Sequence, residues 1–585
     1  MLNFKLKPNA IDKNSTTPLI DYLKSLGIVE TNEFIKIPSK KNEIHGSVLE
    51  NSVSMVTKLC KLFDEDKKFF LIVDCDTDGF TSSAIFYNFF KTLYPKAQIE
   101  WMLHEEKQHG IELDKVPTDC DVIIVPDAGS NQIDEINSLI NSGKYVFILD
   151  HHQVEHELPS HELLYFVNNQ TSPRFENKAL SGAGVVFKII QLFEEVFCNS
   201  QTISSQLYDL AALGILADCM DSRTLDNNYI IYKGLHNINN KMFKALVDKQ
   251  NYSIQKELPN KMDVSFYIAP LINGTIRMGT MEDKELLFRG FIEQNHDELY
   301  EHTWRGNTTM EDFYHRSARI AYNVKNEQNR IKMKCLEFLS KRIEEEGLDK
   351  NKIIAVITHE DDDVPVPKTI TGLVAMELLK LYGKPALVLR QTTDKNGVVA
   401  YSGSGRSNSF EELPSFLAFV REQEESLYAQ GHSCAFGASI LAEEFDNFIA
   451  SCNEKMAHID FANDAIMVDA IFDNKINHQL IHEFAKGGDI YGNQIDEPKI
   501  VLQYTITSSD IMIMGSDASS LRITIGGIPC IKFKCRDLID KLKSSPRNKV
   551  TIIGKPKLNY FRGTENAQIM IDAIDIEPVA HGGLF

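Results

Sequence analysis

Three segments in the first third of the chain, KKFFLIVDCD (67–76), CDVIIVPDAG (120–129) and KYVFILDHH (144–152), each set four or five apolar residues directly before an aspartate. Runs this short, apolar on both faces, read as strands buried on both sides. Helical patterns follow the first two, at 81–93 and 132–142. Buried strands alternating with helices require a parallel α/β sheet. Ligands of such sheets bind beyond the carboxyl ends of the strands, and that is where these aspartates fall.

A chain of 585 residues has room for several domains. Residues 1–50 are polar and basic with one amphipathic helix pattern (19–28). Helix patterns at 206–216 and 228–237 extend the α/β region, giving a first domain over 1–310. Residues 313–347 contain no proline and a single glycine, at the end. As one helix they would span about 50 Å, enough to bridge two domains, and 311–350 is assigned as a connecting helix. A smaller α/β unit with a helix at 371–381 occupies 351–457. Its acidic run HEDDD (359–363) reads as a solvated loop. Residues 458–585 contain seven short strand patterns split by turn residues, which predicts an all-β barrel or sandwich.

The formal net charge of −20 excludes a uniformly basic surface but not a local basic patch. Ten cysteines without a C-x-x-C pair fit neither a zinc ribbon nor a disulfide framework, and point to a reducing cytoplasm. The start MLNFKLKPNAIDKN has no apolar signal region, and no window is long and apolar enough to predict a membrane span.

Chemistry concentrates in four motifs. DCDTDG carries Asp74, Asp76 and Asp78 just past a strand, and carboxylates so close repel unless a cation neutralises them. An EF-hand loop would need Glu at its twelfth position, where Ile85 stands. PDAGS places Asp127 at the second strand end, LDHH places Asp150, His151 and His152 at the third, and ALGILADCMD places Asp218 after a helical run. Carboxylates with few imidazoles and no thiolates suit Mn²⁺ or Mg²⁺ better than zinc, and the set is large enough for two ions sharing one aspartate. Two such ions can activate a water and stabilise charge developing on a phosphoryl group.

In order and spacing these motifs resemble the DHH phosphoesterase superfamily. That resemblance implies two Mn²⁺ or Mg²⁺ ions with Asp127 as the bridging ligand. Asp76, with Asp74 alongside, would serve one ion; Asp78, His151 and Asp218 would serve the other. His152 would contact the scissile phosphate, and Asp150 would orient the histidine pair. IAPLINGTIRMG (268–279) is similar to the RecJ-type segment in which an Asn and an Arg reach substrate, here Asn273 and Arg277. GSGRS (403–407) and QGHSCAFGAS (430–439) resemble the DHH-associated domain, implying phosphate contacts from Ser404, Arg406 and His432. RecJ-like nucleases carry an OB fold after that domain. Here residues 532–562 hold ten Lys/Arg against two Asp, with Tyr560 and Phe561 among them, a combination expected of a groove that tracks and stacks a single strand. There are departures. The segment MLHEEKQHGIEL lacks the Arg that usually precedes G-Y-G-L, offering His104, Lys107 and His109 instead, and Gln430 replaces the first glycine of G-G-H.

The resemblance implies a metal-dependent exonuclease that degrades single-stranded DNA from the 5′ end to 5′-mononucleotides in recombination, repair or replication. It would work as a cytoplasmic monomer, with a single-strand-binding protein or a helicase as partner. A phosphodiesterase for short oligoribonucleotides or cyclic dinucleotides is the alternative, against which the basic C-terminal region argues. A non-catalytic replication scaffold is disfavoured because every expected ligand is present.

Overall fold

The computed structural model describes residues 2–105, 108–199, 202–293, 297–393, 397–461, 465–473, 475–515, 517–561 and 564–579. The chain divides into two compact units. One comprises Met1–Asn273, Met281–Arg319 and Ile466–Phe585, the other Gly274–Thr280 and Ile320–Ala465.

The first unit contains the predicted parallel sheet. Its five strands run in the order Ile99–Leu103, Phe69–Val73, Val122–Pro126, Tyr145–Asp150, Leu164–Asn168, all parallel. Phe69–Val73 and Val122–Pro126 are buried along their whole length, which is why they read as uninterrupted apolar runs. One face packs Ile136, Leu139 and Ile140 of the helix Ile133–Asn141 against Phe70, Ile72, Ile123, Val125, Val146 and Ile148. On the domain's inner side lie the helices Thr77–Leu93, Gly182–Phe193 and Tyr208–Ala217, the second of them buried at every residue. Burying such side chains contributes about 1.5–3 kcal/mol each, so the strand ends they hold are rigid points.

The C-terminal region of the same unit departs from the expected all-β barrel. It is a seven-stranded mixed sheet in the order Ala470–Asp473, Ile500–Thr507, Arg547–Phe561, Thr564–Pro578, Ile528–Lys532, Ser520–Ile525, Ile511–Met514. Among the described residues the two outer strands do not pair, so the sheet does not close. Two helices, His478–Lys486 and Arg536–Lys543, cover it instead. The N-terminal segment, expected to extend the parallel-sheet domain, joins this sheet's core. Phe4–Leu6 pairs with Ile466–Val468, and Tyr22, Leu23 and Phe34 pack with Leu480, Ile481 and Phe484.

The second unit holds a five-stranded sheet in the order Ser426–His432, Ala435–Leu441, Val399–Arg406, Ala386–Thr393, Ile354–Thr358, with only the last pair parallel. The helix Thr371–Tyr382 packs on it. Phe313–Glu345 is one helix of 33 residues, about 50 Å long, whose first residues belong to the first unit and whose remainder belongs to the second. Its Cys335, Leu339 and Ile343 are buried in the second unit's core.

Candidate metal centre and substrate contacts

Adjacent strands of the parallel sheet deliver Asp74, Asp127 and Asp150 to one edge, each almost fully buried. Asp127 has φ 62°, a left-handed conformation that costs a non-glycine residue about 1–3 kcal/mol and is retained where surrounding structure imposes it. The first motif then turns into the helix Thr77–Leu93. Asp76 caps it, its Oδ1 accepting from Gly79 N at 3.0 Å. Asp78 lies in the first turn, where Gly182 N donates to Oδ2 at 2.7 Å and Ala183 N to Oδ1 at 3.1 Å. Asp218 follows the helix Tyr208–Ala217 as its C-terminal cap.

These elements bring six sequence-predicted ligands into two groups. Asp74, Asp76 and Asp127 form one, and Asp78, His151 and Asp218 the other, with potential ligand atoms within 4.8 Å of one another in each. His151 Nε2 stands 3.2 Å from Asp127 Oδ1, 3.4 Å from Asp218 Oδ2 and 3.9 Å from Asp78 Oδ2. Asp127 therefore lies between the groups. Asp150 is saturated by donors: His151 N at 2.7 Å, His152 N at 3.2 Å and His152 Nδ1 at 2.8 Å reach Oδ1, and Ser130 N reaches Oδ2 at 3.1 Å.

The electrostatics divide along the same line. Burial, then the neighbouring carboxylates Asp78 and Asp76, pushes the Asp127 carboxyl well above the usual range. Burial raises Asp78 as well. Asp218 is pushed up to about 8, again by burial first and then by Asp78 and Asp76. Burial pushes the His151 imidazole down, towards the neutral form that ligates metal. Asp150 behaves oppositely: burial would raise it, but the His152 hydrogen bond and the two histidine charges outweigh that and hold it low. In return, the bond to Asp150 overcomes the effect of burial on His152 and lifts that ring to about 9.

Two features fit divalent cations to this pocket. Asp127 Oδ1 is buried without a hydrogen-bond partner, although a carboxylate in that position is expensive to leave unpaired. The space around the carboxylates is kept by glycines. A Cβ on Gly182 would lie 2.4 Å from Asp127 Oδ1, and one on Gly214 would lie 2.3 Å from Asp78 Oδ1. An oxygen-rich set with one imidazole suits Mn²⁺ or Mg²⁺.

One further residue belongs to this pocket. His109 Nδ1 lies 2.7 Å from Asp74 Oδ2, and Gly110 N donates to Asp74 Oδ1 at 2.9 Å. The loop is fastened from the other side by Gln132, whose Oε1 accepts from Ile111 N at 2.6 Å. The sequence offers His109 only as one of three stand-ins for a missing arginine. Of the other two, His104 is buried against Glu112, and Lys107 lies outside the described residues.

Asn273 Oδ1 accepts from Thr77 N at 3.1 Å and Thr77 Oγ1 at 3.0 Å, next to the first motif. The remaining substrate candidates of the glycine-rich motifs belong to the second unit. Ser404 Oγ is 2.9 Å from Thr371 Oγ1, and Arg406 Nη1 donates to Gly405 O at 2.6 Å. Burial, then the charge of Arg277, lowers the Arg406 pKa. His432 is exposed at the end of the strand Ser426–His432. Tyr560 and Phe561 end the strand Arg547–Phe561, but their side chains lie outside the described residues. The basic stretch around them is partly spent within the protein. Lys555 and Lys557 both pair with the buried Glu497, and Lys532 donates to Asp572 O at 2.7 Å.

A parallel sheet whose strand ends pool aspartates and a histidine pair around a shared carboxylate defines a DHH-type metal phosphoesterase. The profile of the DHH family, N-terminal domain, matches residues 68–215, and that of the RecJ OB domain matches 469–573. A Bacillus subtilis (strain 168) protein named as the SPbeta prophage-derived single-strand DNA-specific exonuclease YorK is 31% identical over 564 residues, covering 96% of each chain. RecJ of the same organism is 22% identical over 535 residues, 88% of this chain and 62% of that protein. The crystal structure of RecJ with Mn²⁺ from Thermus thermophilus superimposes with a TM-score of 0.70 at 18% identity, over all of this chain and 81% of that one. The chain belongs to the RecJ-like family of DHH proteins.

Proposed function

We infer that this protein is a divalent-metal-dependent exonuclease that hydrolyses single-stranded DNA. The single observation that carries the reading is Asp127, buried between two ligand groups with one oxygen that accepts no hydrogen bond. Asp76, with Asp74, and the trio Asp78, His151 and Asp218 would hold two Mn²⁺ or Mg²⁺ ions on either side of it. When bound, such ions activate a water and stabilise negative charge on the phosphoryl group.

The chain's own residues do the rest. Asp150 accepts from His152 Nδ1, so the ring stays protonated near neutral pH and presents its Nε2–H as a donor to a phosphoryl oxygen. Because Asn273 Oδ1 is occupied by Thr77, its amide N–H groups are the ones available to the strand. Arg277, Ser404, Arg406 and His432 would bind further phosphates, and Tyr560 and Phe561 would stack bases. Digestion runs from the 5′ end and releases 5′-mononucleotides. The finer reading is a cytoplasmic monomer supplied with single strands by a single-strand-binding protein or a helicase. Among the described residues no helix is long and apolar enough to cross a membrane.

Digestion of 5′- and 3′-labelled single strands and of the matching duplex, with Mn²⁺ or Mg²⁺ and resolved at early times, tests this reading. Mononucleotides released first from the 5′ end of the single strand are expected. Duplex cleaved as fast as single strand, or a preference for dinucleotides over longer strands, would overturn it.

A further inference from the structure

Several cations that this protein buries wholly or in part are ion-paired: Lys188 with Asp226 at 2.8 Å, Lys332 with Glu377 at 2.7 Å, and Arg342 with Asp362. Lys325, on the long helix, has no ion-pair partner among the described residues. Its stem lies along Gly274, where a Cβ would come within 3.1 Å of Lys325 Cδ. Its Nζ donates at 2.6 Å to Gln328 Oε1, a neutral acceptor on a side chain only 1% exposed.

The groups around it are donors too. Gln328 Nε2 and Arg277 Nε are buried without acceptors. Arg277 and Arg406 have no ion pair among the described residues, and Gly372 leaves room for Arg406, a Cβ there falling 2.4 Å from Nη2. Burial, then the charges of Lys332 and Arg277, pushes Lys325 down to about 8. Concentrated positive charge and spare N–H groups without a carboxylate burden the fold, and an incoming anion relieves that burden. A phosphate bound at this helix face would offset that cost.

We propose that Lys325 is a DNA-binding residue which, with Arg277, takes a phosphate of the single strand in the second unit. The inference rests on the exonuclease reading. It adds a phosphate ligand on the long helix to those of the glycine-rich motifs, so affinity would depend on a strand with more than one phosphate.

The test is anisotropy of a fluorescein-labelled single-stranded oligonucleotide with the full chain in EDTA, where no turnover occurs, over a range of KCl concentrations. Lys325→Met should weaken binding about tenfold, the loss expected for one charge-assisted hydrogen bond. The slope of log affinity against log salt should become shallower by about 0.7. Lys325→Arg should restore the slope, and Lys334→Met, exposed on the same helix, should leave both unchanged. Circular dichroism should show Lys325→Met folded, although the substitution removes the bond to Gln328 along with the charge. A wild-type chain that binds the strand while Lys325→Met keeps its affinity and slope would overturn the inference alone. A wild-type chain that binds no single strand would overturn the exonuclease reading and this inference with it.

Discussion

Stripping divalent cations should make the stability of this protein fall as pH rises above neutrality. An acid whose pKa is raised by folding holds a proton that the unfolded chain has released. Stability from that proton is complete below the ordinary carboxyl value and is lost as pH climbs towards the folded value. Asp218, at about 8, keeps most of its proton at pH 6.5 and about half of it at pH 8, and Asp78 and Asp127 are raised in the same sense. His152, lifted to about 9, adds a loss of the same sign from its ordinary value upward. His151 is lowered and acts oppositely only as pH falls through its ordinary value, so the window above 6.5 avoids it. Each retained proton gives a slope of about 1.4 kcal/mol per pH unit, hence about 1.5 kcal/mol from Asp218 alone over this window once its growing ionisation near pH 8 is included. Urea unfolding of chelator-treated protein at pH 6.5, 7.25 and 8 measures it. Saturating Mn²⁺ should flatten the dependence, because bound cations replace the protons, and the Mn²⁺-induced gain should grow with pH. Asp218→Asn should remove one proton's share of the slope. A metal-free protein whose stability does not change over this window, or whose slope is identical in Asp218→Asn, would refute the reasoning.

Gly182→Ala should leave the fold intact by circular dichroism yet lower activity by about two orders of magnitude or more, because its methyl would occupy the place of Asp127 Oδ1. His109→Ala should weaken Mn²⁺ binding, read by electron paramagnetic resonance, by about 10–100-fold, the usual cost of losing a ligand's hydrogen-bond partner, and His109→Asn should recover part of it. Replacing both Lys555 and Lys557 with Met should lower the unfolding midpoint, since it strands the buried Glu497, while leaving the salt dependence of DNA binding unchanged. Neutralising Lys534, Lys543 and Lys549 together should instead flatten that salt dependence, by about 0.7 for each phosphate no longer held.

Much of the candidate site is legible in the sequence because an apolar run followed by aspartate announces the strand ends around which it is built. Asp74, Asp127 and Asp150 can be placed on one sheet edge from that pattern alone. The long helix is equally plain, having no proline to break it. His109 is less so. Its role depends on a loop pinned by Gln132 and by Asp74 itself, a tertiary arrangement that no local pattern encodes. That the C-terminal sheet stays open among the described residues is not legible, because short alternating strands look alike whether or not their outer members pair. The placement of residues 4–34 against the C-terminal sheet rests on contacts between segments far apart in the chain, as in the bond from Tyr22 Oη to Asp496 O at 2.7 Å. Counting charge over 532–562 likewise overlooks Glu497, distant in sequence, which consumes two of the lysines.

The central claim is that two cations sharing Asp127 perform the hydrolysis. The most direct measurement titrates Mn²⁺ into wild-type and Asp127→Ala protein, counting bound ions by paramagnetic resonance and following single-strand cleavage in the same samples. Two ions per wild-type chain are predicted, with cleavage rising only as the second site fills. Asp127→Ala should bind fewer ions and cleave nothing while remaining folded. Full cleavage with one ion bound, or substantial cleavage by folded Asp127→Ala, would contradict the account.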